Sequence, residues 1–86
     1  GRVSTIQNKR GLHARAAAKF AQVAGRFDAH VTVSRGGQSV SGNSIMGLMM
    51  LAAGNGSVLH FTAEGEDAES VLSDMEELFL GGFDES

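Results

Sequence analysis

One histidine lies where an imidazole could do chemistry. His13 follows Gly11 and Leu12, and an alanine-rich run of high helix propensity begins directly after it. Gly11 allows a backbone turn that other residues would find strained, so the pattern places His13 at or just before a helix N-terminus. There, unpaired backbone N–H groups and the positive end of the helix dipole would meet an anion carried by the imidazole.

Arg15 adds a permanent cation whose planar fork suits phosphate oxygens. The imidazole of His13 is a nucleophile in its neutral form. The pattern therefore indicates a histidine that can accept and hold an anionic group. Taken alone, however, a Gly-Leu-His triplet is more often part of an ordinary exposed loop.

Charge is distributed unevenly along the 86 residues, whose formal net charge is −3. All seven Lys and Arg residues lie within residues 1–35 beside one acid, Asp28, whereas residues 36–86 hold nine acids and no base. A basic region around His13 would favour anionic intermediates and steer an acidic partner surface towards it. The same distribution also occurs in proteins whose charged residues are solvated and bind no partner.

Length and composition predict a single domain over residues 1–86, because 42% hydrophobic residues can build one modest core. The chain has no cysteine, so a disulfide framework and thiolate zinc ligation are both excluded, which fits a reducing cytoplasm. No apolar run approaches the roughly 20 residues of a membrane helix, and no signal peptide is recognised. We therefore expect a cytoplasmic protein that does not enter a membrane.

Hydrophobic periodicity predicts seven elements in the order β-α-β-β-α-β-α. In a first strand over residues 3–7, Val3 and Ile6 have opposite parity, and we expect Ile6 to point inward. An amphipathic helix over residues 15–24 follows and ends near Gly25. The later elements are a hairpin around Gly36 and Gly37, a helix over residues 45–53 capped by Ser44, a strand over residues 57–64 with Leu59 and Phe61 inward, and a helix with an apolar stripe from Ala68 to Phe79.

This order predicts an α+β open-faced sandwich, in which helices cover one face of a four-stranded antiparallel sheet and the other face is wet. The partial order β-α-β-β-α-β would also suit a ferredoxin-like domain, so the elements alone leave that alternative open. We expect Gly81 and Gly82 to end the last helix and the residues up to Ser86 to form a loose acidic tail.

Two segments of the chain carry a family resemblance. They are Gly11-Leu12-His13-Ala14-Arg15 and Ser44-Ile45-Met46-Gly47-Leu48-Met49. The first resembles the active-site signature of HPr, the histidine-containing phosphocarrier family of the bacterial phosphoenolpyruvate-dependent phosphotransferase system. The second resembles the segment around that family's regulatory serine, and its distance from the first also fits. The similarity spans nearly the whole chain.

The resemblance implies a phosphoryl-group carrier rather than an enzyme, with three helices on one face of the sheet. His13 would accept a phosphoryl group from Enzyme I on Nδ1 and pass it to enzyme IIA-type acceptors, with Arg15 stabilising the phosphate. Ser44 would be a regulatory phosphorylation site for an HPr kinase/phosphorylase, if the cell has one. We expect a monomer without a cofactor.

One residue departs from the family pattern, because the usual proline after the arginine is Ala16 here. This variation is similar to the nitrogen-related branch of the system, so sugar transport and nitrogen or metabolic regulation both stay open as the output. An alanine retains its N–H and starts a helix well, so we expect the chemistry to be intact. A purely regulatory protein, controlled at Ser44 with His13 silent, is the alternative within the family.

The predicted helix over residues 45–53 has more apolar side chains than a short helix can bury. Its two leucines can face the sheet, whereas Ile45, Met46 and Met49 lie on an adjoining side. We expect these three residues to form, with Ser44, an apolar patch that docks partners, because methionine side chains adapt to differently shaped surfaces. The alternative is that all three fill the core.

Two other kinds of site have weak support. His13, His30 and His60 are far apart in sequence and show no metal-ligand spacing. An RNA-binding module of similar topology would need exposed aromatic residues on its strands and a basic surface, but the chain has no Tyr or Trp, and Phe61 is the only aromatic residue on a predicted strand. We therefore expect neither a metal site nor a nucleic-acid partner.

Overall fold

Four strands and three helices make up the chain in this computed structural model, which describes residues 2–7, 9–51 and 54–84. The elements are β1 (Arg2–Thr5), α1 (Ala14–Ala24), β2 (His30–Arg35), β3 (Gln38–Ser41), α2 (Ile45–Met50), β4 (Val58–Glu64) and α3 (Ala68–Leu80), followed by a 3₁₀ turn (Gly82–Asp84). The strands form one antiparallel sheet in the order β1-β4-β2-β3. The predicted α+β open-faced sandwich is confirmed.

Alternation along the two central strands, β4 and β2, buries one face of the sheet. In β4, Leu59 and Phe61 are fully buried, whereas Val58 and His60 are exposed. Phe61 lies opposite Val33 of β2, which is also fully buried. The buried side chains of both strands join those of the helices in one hydrophobic core, so the predicted inward side of this strand is confirmed.

The first strand ends one residue before Ile6. Val3 is 54% exposed, whereas Ile6 is 1% exposed. The N–H of Ile6 donates to the carbonyl of Ser57 at 2.8 Å, after the regular strand has stopped at Thr5. The prediction that Ile6 rather than Val3 points inward is confirmed, and the conflict in parity disappears because the two residues do not share a regular strand.

An arginine on β1 ties this edge strand to α3. The guanidinium of Arg2 contacts the carboxylates of Glu69 and Glu76, each at 3.2 Å. The hydrogen bond and charge of Glu76, and to a lesser extent those of Glu69, raise the pKa of Arg2 above its ordinary value. The pair links the first strand to the last helix across almost the whole sequence.

The helix starts follow the predicted caps closely. Helix α1 begins at Ala14, one residue before the prediction, and ends before Gly25. Helix α2 begins directly after Ser44, as predicted, and ends at Met50. The predicted end of this helix, residues 52–53, lies outside the described residues.

The C-terminal turn packs into the core. Phe83 is fully buried, its ring centroid lies 5.2 Å from that of Phe79, and its carbonyl accepts a hydrogen bond from Lys19 Nζ at 2.8 Å. Its φ of 58° lies in the left-handed region, which bulky residues rarely adopt, so burial of the ring offsets backbone strain. The predicted loose tail is therefore wrong for Phe83. Residues 85–86 lie outside the described residues.

Candidate functional site

A buried turn holds His13 in front of α1. Gly11 has a φ of 68°, a left-handed conformation that glycine adopts at little cost. Leu12 is 4% exposed and belongs to the core, and the N–H of His13 donates to the Gly11 carbonyl at 2.9 Å. Because the residue before it is anchored in the core, the histidine is positioned by packing as well as by the helix.

His13 is the N-cap residue of α1. Its backbone is extended, with φ −79° and ψ −179°, and its carbonyl accepts the N–H of Ala17 at 2.8 Å. The side-chain Nδ1 accepts a hydrogen bond from the backbone N–H of Arg15 at 3.2 Å. An accepting Nδ1 carries a lone pair, so the proton of the neutral ring is on Nε2. The predicted position at the helix N-terminus is confirmed, with the imidazole itself in the capping role.

The charged side chains near this cap point into solvent. Arg15 is exposed, and its guanidinium makes no hydrogen bond or ion pair with other described residues. Lys9 and Arg10, in the turn before Gly11, are exposed as well. We did not predict these two residues as part of the site, although the basic run before the glycine is the signal that would have found them. The N-terminal end of α1 thus carries positive charge on both sides of the histidine.

Ser44 caps the second helix in a comparable way. Its backbone is extended, with φ −100° and ψ 105°, and its Oγ accepts the N–H of Gly47 at 3.0 Å. A Cβ at Gly47 would lie 3.0 Å from that Oγ and 3.1 Å from Cβ of Val40, so glycine allows the helix to approach the cap and β3 closely. The predicted N-cap role of Ser44 is confirmed.

The apolar side chains of α2 divide into a buried and an exposed set. Leu48 and the following Leu51 are buried, at 0% and 1% exposure. The expectation that a short helix leaves the others uncovered is confirmed, and the alternative of a core role is wrong. The exposed set consists of Ile45 at 42%, Met46 at 71%, Met49 at 41% and Met50 at 72%.

Sequence reasoning missed Met50 as a member of this exposed set. It lies four residues after Met46, the spacing that places two side chains on one side of a helix, so the signal was present. We call Ile45, Met46, Met49 and Met50 the α2 patch. Helix α1 packs against α2, so the patch and the two capped N-termini belong to neighbouring helices.

The other two histidines lie on strands. His30 on β2 and His60 on β4 are exposed, and their partners in the antiparallel register are Glu64 and Ser34. Among residues 2–7, 9–51 and 54–84, no group of three or more His, Cys, Asp or Glu residues could hold a metal ion. In the same part of the chain, no helix combines the length and the apolar content needed to cross a membrane.

Comparison with known proteins connects this geometry to a family. The family model described as the PTS HPr component phosphorylation site matches residues 2–80. This chain belongs to the HPr family. It is 55% identical to the phosphocarrier protein HPr of Pseudomonas aeruginosa over 82 residues, which cover 94% of this chain and 91% of the relative.

Two further comparisons extend this result. The phosphocarrier protein NPr of Shewanella violacea is 43% identical over 82 residues, which cover 95% of this chain and 90% of the relative. The crystal structure of HPr-C-His from Thermoanaerobacter tengcongensis matches with a TM-score of 0.94 and 38% identity, covering 99% of this chain and 96% of the other. The family resemblance is thus confirmed, and it replaces the ferredoxin-like alternative. As a member of this family of phosphocarriers, the protein is a carrier rather than a catalyst.

Proposed function

We propose that His13 accepts a phosphoryl group from Enzyme I and passes it to enzyme IIA-type acceptors. The observation that carries this proposal is the position of Nδ1 at the N-cap of α1, 3.2 Å from the backbone N–H of Arg15. This nitrogen has the lone pair that a nucleophile needs, and it lies beside donors that suit an anion.

In the proposed reaction, the Nδ1 lone pair attacks the phosphorus of the phosphorylated donor, and the bond between phosphorus and the donor protein breaks. The proton on Nε2 stays in place. The N–H of Arg15, released from Nδ1, then donates to a phosphoryl oxygen, and the N–H of Ala14 lies in the same first turn. Transfer to the acceptor runs the same steps in reverse, with the acceptor as the attacking group.

The guanidinium of Arg15 is the second proposed participant. It is exposed and has no hydrogen-bonding partner among the described residues, so it can turn towards phosphoryl oxygens without giving up another contact. Phosphoryl transfer depends on positioning and on stabilising charge spread over three oxygens, which a planar cation does well. We therefore assign Arg15 to phosphate stabilisation.

Ser44 is proposed as a regulatory phosphorylation site for an HPr kinase/phosphorylase. Its support is the resemblance of the segment that begins at Ser44, together with its place beside the α2 patch. A phosphate would add a charge of roughly −1.5 to −2 at this edge of the α2 patch. Its effect is expected on docking, because a partner that contacts the patch would have to accommodate that charge next to an apolar contact.

The α2 patch is proposed as the surface that docks Enzyme I and the acceptors. Ile45, Met46 and Met49 supply exposed apolar area, and Met50 enlarges it. Flexible methionine side chains suit a carrier that uses one surface for several partners. The neighbouring α1 brings basic side chains, including Arg15, to the same pair of helices.

The organisation of the protein is proposed from the sequence and the family. We infer one HPr-like domain over residues 1–86, supported by the family match to residues 2–80. A monomer in the cytoplasm, without a cofactor, metal or nucleic-acid partner, stays a prediction. The relatives include both HPr and NPr proteins, so we name the acceptors only by class.

The experiment is transfer of labelled phosphate from phosphoenolpyruvate in the presence of the cognate Enzyme I. The carrier proposal predicts rapid labelling that is lost in acid, because phosphohistidine is acid-labile. A purely regulatory protein would take no label in this reaction, and it would take acid-stable label only from a serine kinase. A protein that stays unlabelled with active Enzyme I would contradict the carrier proposal.

A further inference from the structure

The α2 patch lies on a helix that is too short to be stable by itself. Helix α2 has six residues, and an isolated helix of that length is unstable in water. Leu48 is the only buried residue of α2, and Leu51, which directly follows the last helical residue, is buried as well. Besides the packing of Leu48 and of α1 against α2, the orientation of the helix therefore depends on how its two ends are attached to the rest of the fold.

The N-terminal end is attached by local contacts. The N–H of Ser44 donates to the carbonyl of Ser41, the last residue of β3, at 3.1 Å. The Oγ of Ser44 accepts the N–H of Gly47, and Gly47 packs closely against Val40. These contacts join neighbours in sequence, so this end is fixed to β3 by the chain itself.

At the C-terminal end, the described residues show the buried side chain of Leu51 and one long side chain that reaches from the sheet. Arg35 Nη1 donates a hydrogen bond to the carbonyl of Leu51 at 2.9 Å, across 16 positions of sequence. Arg35 is the last residue of β2, before the turn at Gly36, and its register partner is Gln38. Within the described residues, this is the one side-chain hydrogen bond that joins the C-terminal end of α2 to the sheet.

The contact from Arg35 matters for the end of α2 for two reasons: the carbonyls there need a partner, and a groove leaves open space beside the helix. Carbonyls at a helix C-terminus lack intrahelical partners and carry the negative end of the dipole, so a cation is favourable there. A shallow groove of about 230 Å³ lies between β3 and this end of α2, lined by Val40, Met50 and Leu51 among others. Because the groove leaves open space beside the helix end, packing alone does not fix where Met50 lies.

We propose that Arg35 is a positioning residue for the α2 patch. It holds the C-terminal end of α2 so that Met49 and Met50 keep a fixed place relative to His13. This inference rests on the proposed function of the patch as the docking surface. Loss of the hydrogen bond should raise the KM of Enzyme I for this protein about five- to tenfold, while kcat, which reports the chemistry at His13, stays within about twofold.

Arg35→Met removes the charge and the donor but keeps a long side chain, and Arg35→Lys keeps a cationic donor. Arg26→Met is the matched control, because Arg26 is an exposed arginine beyond the C-terminal end of α1 and its loss changes the net charge equally. Two measurements are made on each variant. The first is amide hydrogen exchange over residues 48–51 of the free protein, and the second is kcat and KM with Enzyme I.

The expected result has three parts. In Arg35→Met, the amide hydrogens of residues 48–51 exchange faster than in wild type. The KM of Enzyme I for this variant is raised, and kcat is unchanged. Arg35→Lys restores most of both properties, because an ammonium can still donate to the carbonyl. Arg26→Met resembles wild type in both measurements.

Each other outcome overturns a stated part of the inference. Unchanged exchange in Arg35→Met would show that the hydrogen bond does not hold the helix end, whatever the protein does. Faster exchange with an unchanged KM would show that the position of the helix end does not govern docking. An equal rise of KM in Arg26→Met would assign the effect to net charge. A wild-type protein that takes no label from Enzyme I would overturn the proposed function itself, and the exchange data would still report on the hydrogen bond.

Discussion

Helices α1 and α2 both begin at a residue whose side chain caps the first turn, but the two capping side chains differ. His13 Nδ1 accepts the N–H of Arg15 at 3.2 Å, and Ser44 Oγ accepts the N–H of Gly47 at 3.0 Å. Both residues have extended backbones, as N-cap residues generally do. Capping geometry alone therefore does not distinguish a reactive group from a structural one.

The surroundings make the difference between the two caps. His13 follows a left-handed Gly11 and precedes an exposed cation, Arg15, so an anion formed on its imidazole would meet complementary charge. Ser44 precedes exposed apolar side chains, so a charge placed on its hydroxyl would lie beside the α2 patch. On the proposed function, the phosphoryl group on His13 is transferred to an acceptor, whereas a phosphate on Ser44 regulates docking.

The largest expected effect comes from His13→Ala. This change removes the proposed nucleophile, so acid-labile labelling from phosphoenolpyruvate and Enzyme I should vanish. Loss of the cap should cost about 1 kcal/mol of folding free energy, which leaves the protein folded. Label transfer and circular dichroism measure the two effects, with Ser44→Ala as the matched cap-removing control that should still take label. Acid-labile label on the His13→Ala protein would refute the assignment.

Arg15→Ala should give the next largest effect. On the proposed function, this change removes a cation that stabilises charge in the transition state and should slow transfer roughly 100-fold, whereas stability should change little because the side chain is exposed. Rapid-quench measurement of phosphoryl transfer would give the rate. Arg15→Lys should recover only part of it, since an ammonium lacks the planar fork. Wild-type rates in the alanine variant would remove Arg15 from the site.

Met46→Glu and Met49→Glu test the surface beside the second cap. Each should weaken binding to Enzyme I and to the acceptor roughly tenfold, because a carboxylate would be desolvated in an apolar contact. Val58→Glu is the control, since Val58 is 47% exposed on the uncovered face of the sheet. Calorimetric binding isotherms decide the outcome. If both methionine variants are folded and bind Enzyme I like wild type, the docking surface lies elsewhere.

Most of the fold could be predicted from the sequence because its elements follow local rules. Alternation in β4 correctly placed Leu59 and Phe61 inward, and the polar residue before an apolar run correctly placed the Ser44 cap. The position of His13 followed from a glycine and the helix-forming run around it. These signals are short in range, so a single sequence contains them.

Met50, Lys9 and Arg10 were missed although a local signal was present, whereas the other missed features depend on contacts that are distant in sequence. Phe83 follows two glycines near the chain end, a pattern typical of a loose tail, yet it is buried in the common core and its carbonyl accepts a bond from Lys19, 64 positions away. The bond from Arg35 to the Leu51 carbonyl is likewise invisible to periodicity, because it joins a strand end to a helix end. No local pattern predicts a side chain that satisfies a remote carbonyl.

The smallest expected effect separates the structural and regulatory roles of Ser44. Ser44→Ala removes the acceptor for the Gly47 N–H and should destabilise the protein by about 1 kcal/mol. Ser44→Asp retains an acceptor at the N-cap and adds a charge that the helix dipole favours, so its stability should stay within about 0.5 kcal/mol of wild type. Urea unfolding of the two variants measures this difference.

Binding should rank the two Ser44 variants in the opposite order. Ser44→Ala leaves the rim of the α2 patch uncharged and should bind Enzyme I like wild type, whereas Ser44→Asp should bind a few-fold more weakly because its carboxylate lies beside the apolar contact. The aspartate carries less charge than a phosphate, so this is a lower bound on the effect of phosphorylation. If Ser44→Asp is much less stable than wild type, the tolerance of negative charge at this cap is refuted. If it is stable and binds normally, a single negative charge at this cap does not weaken docking, which contradicts the expected effect of Ser44→Asp.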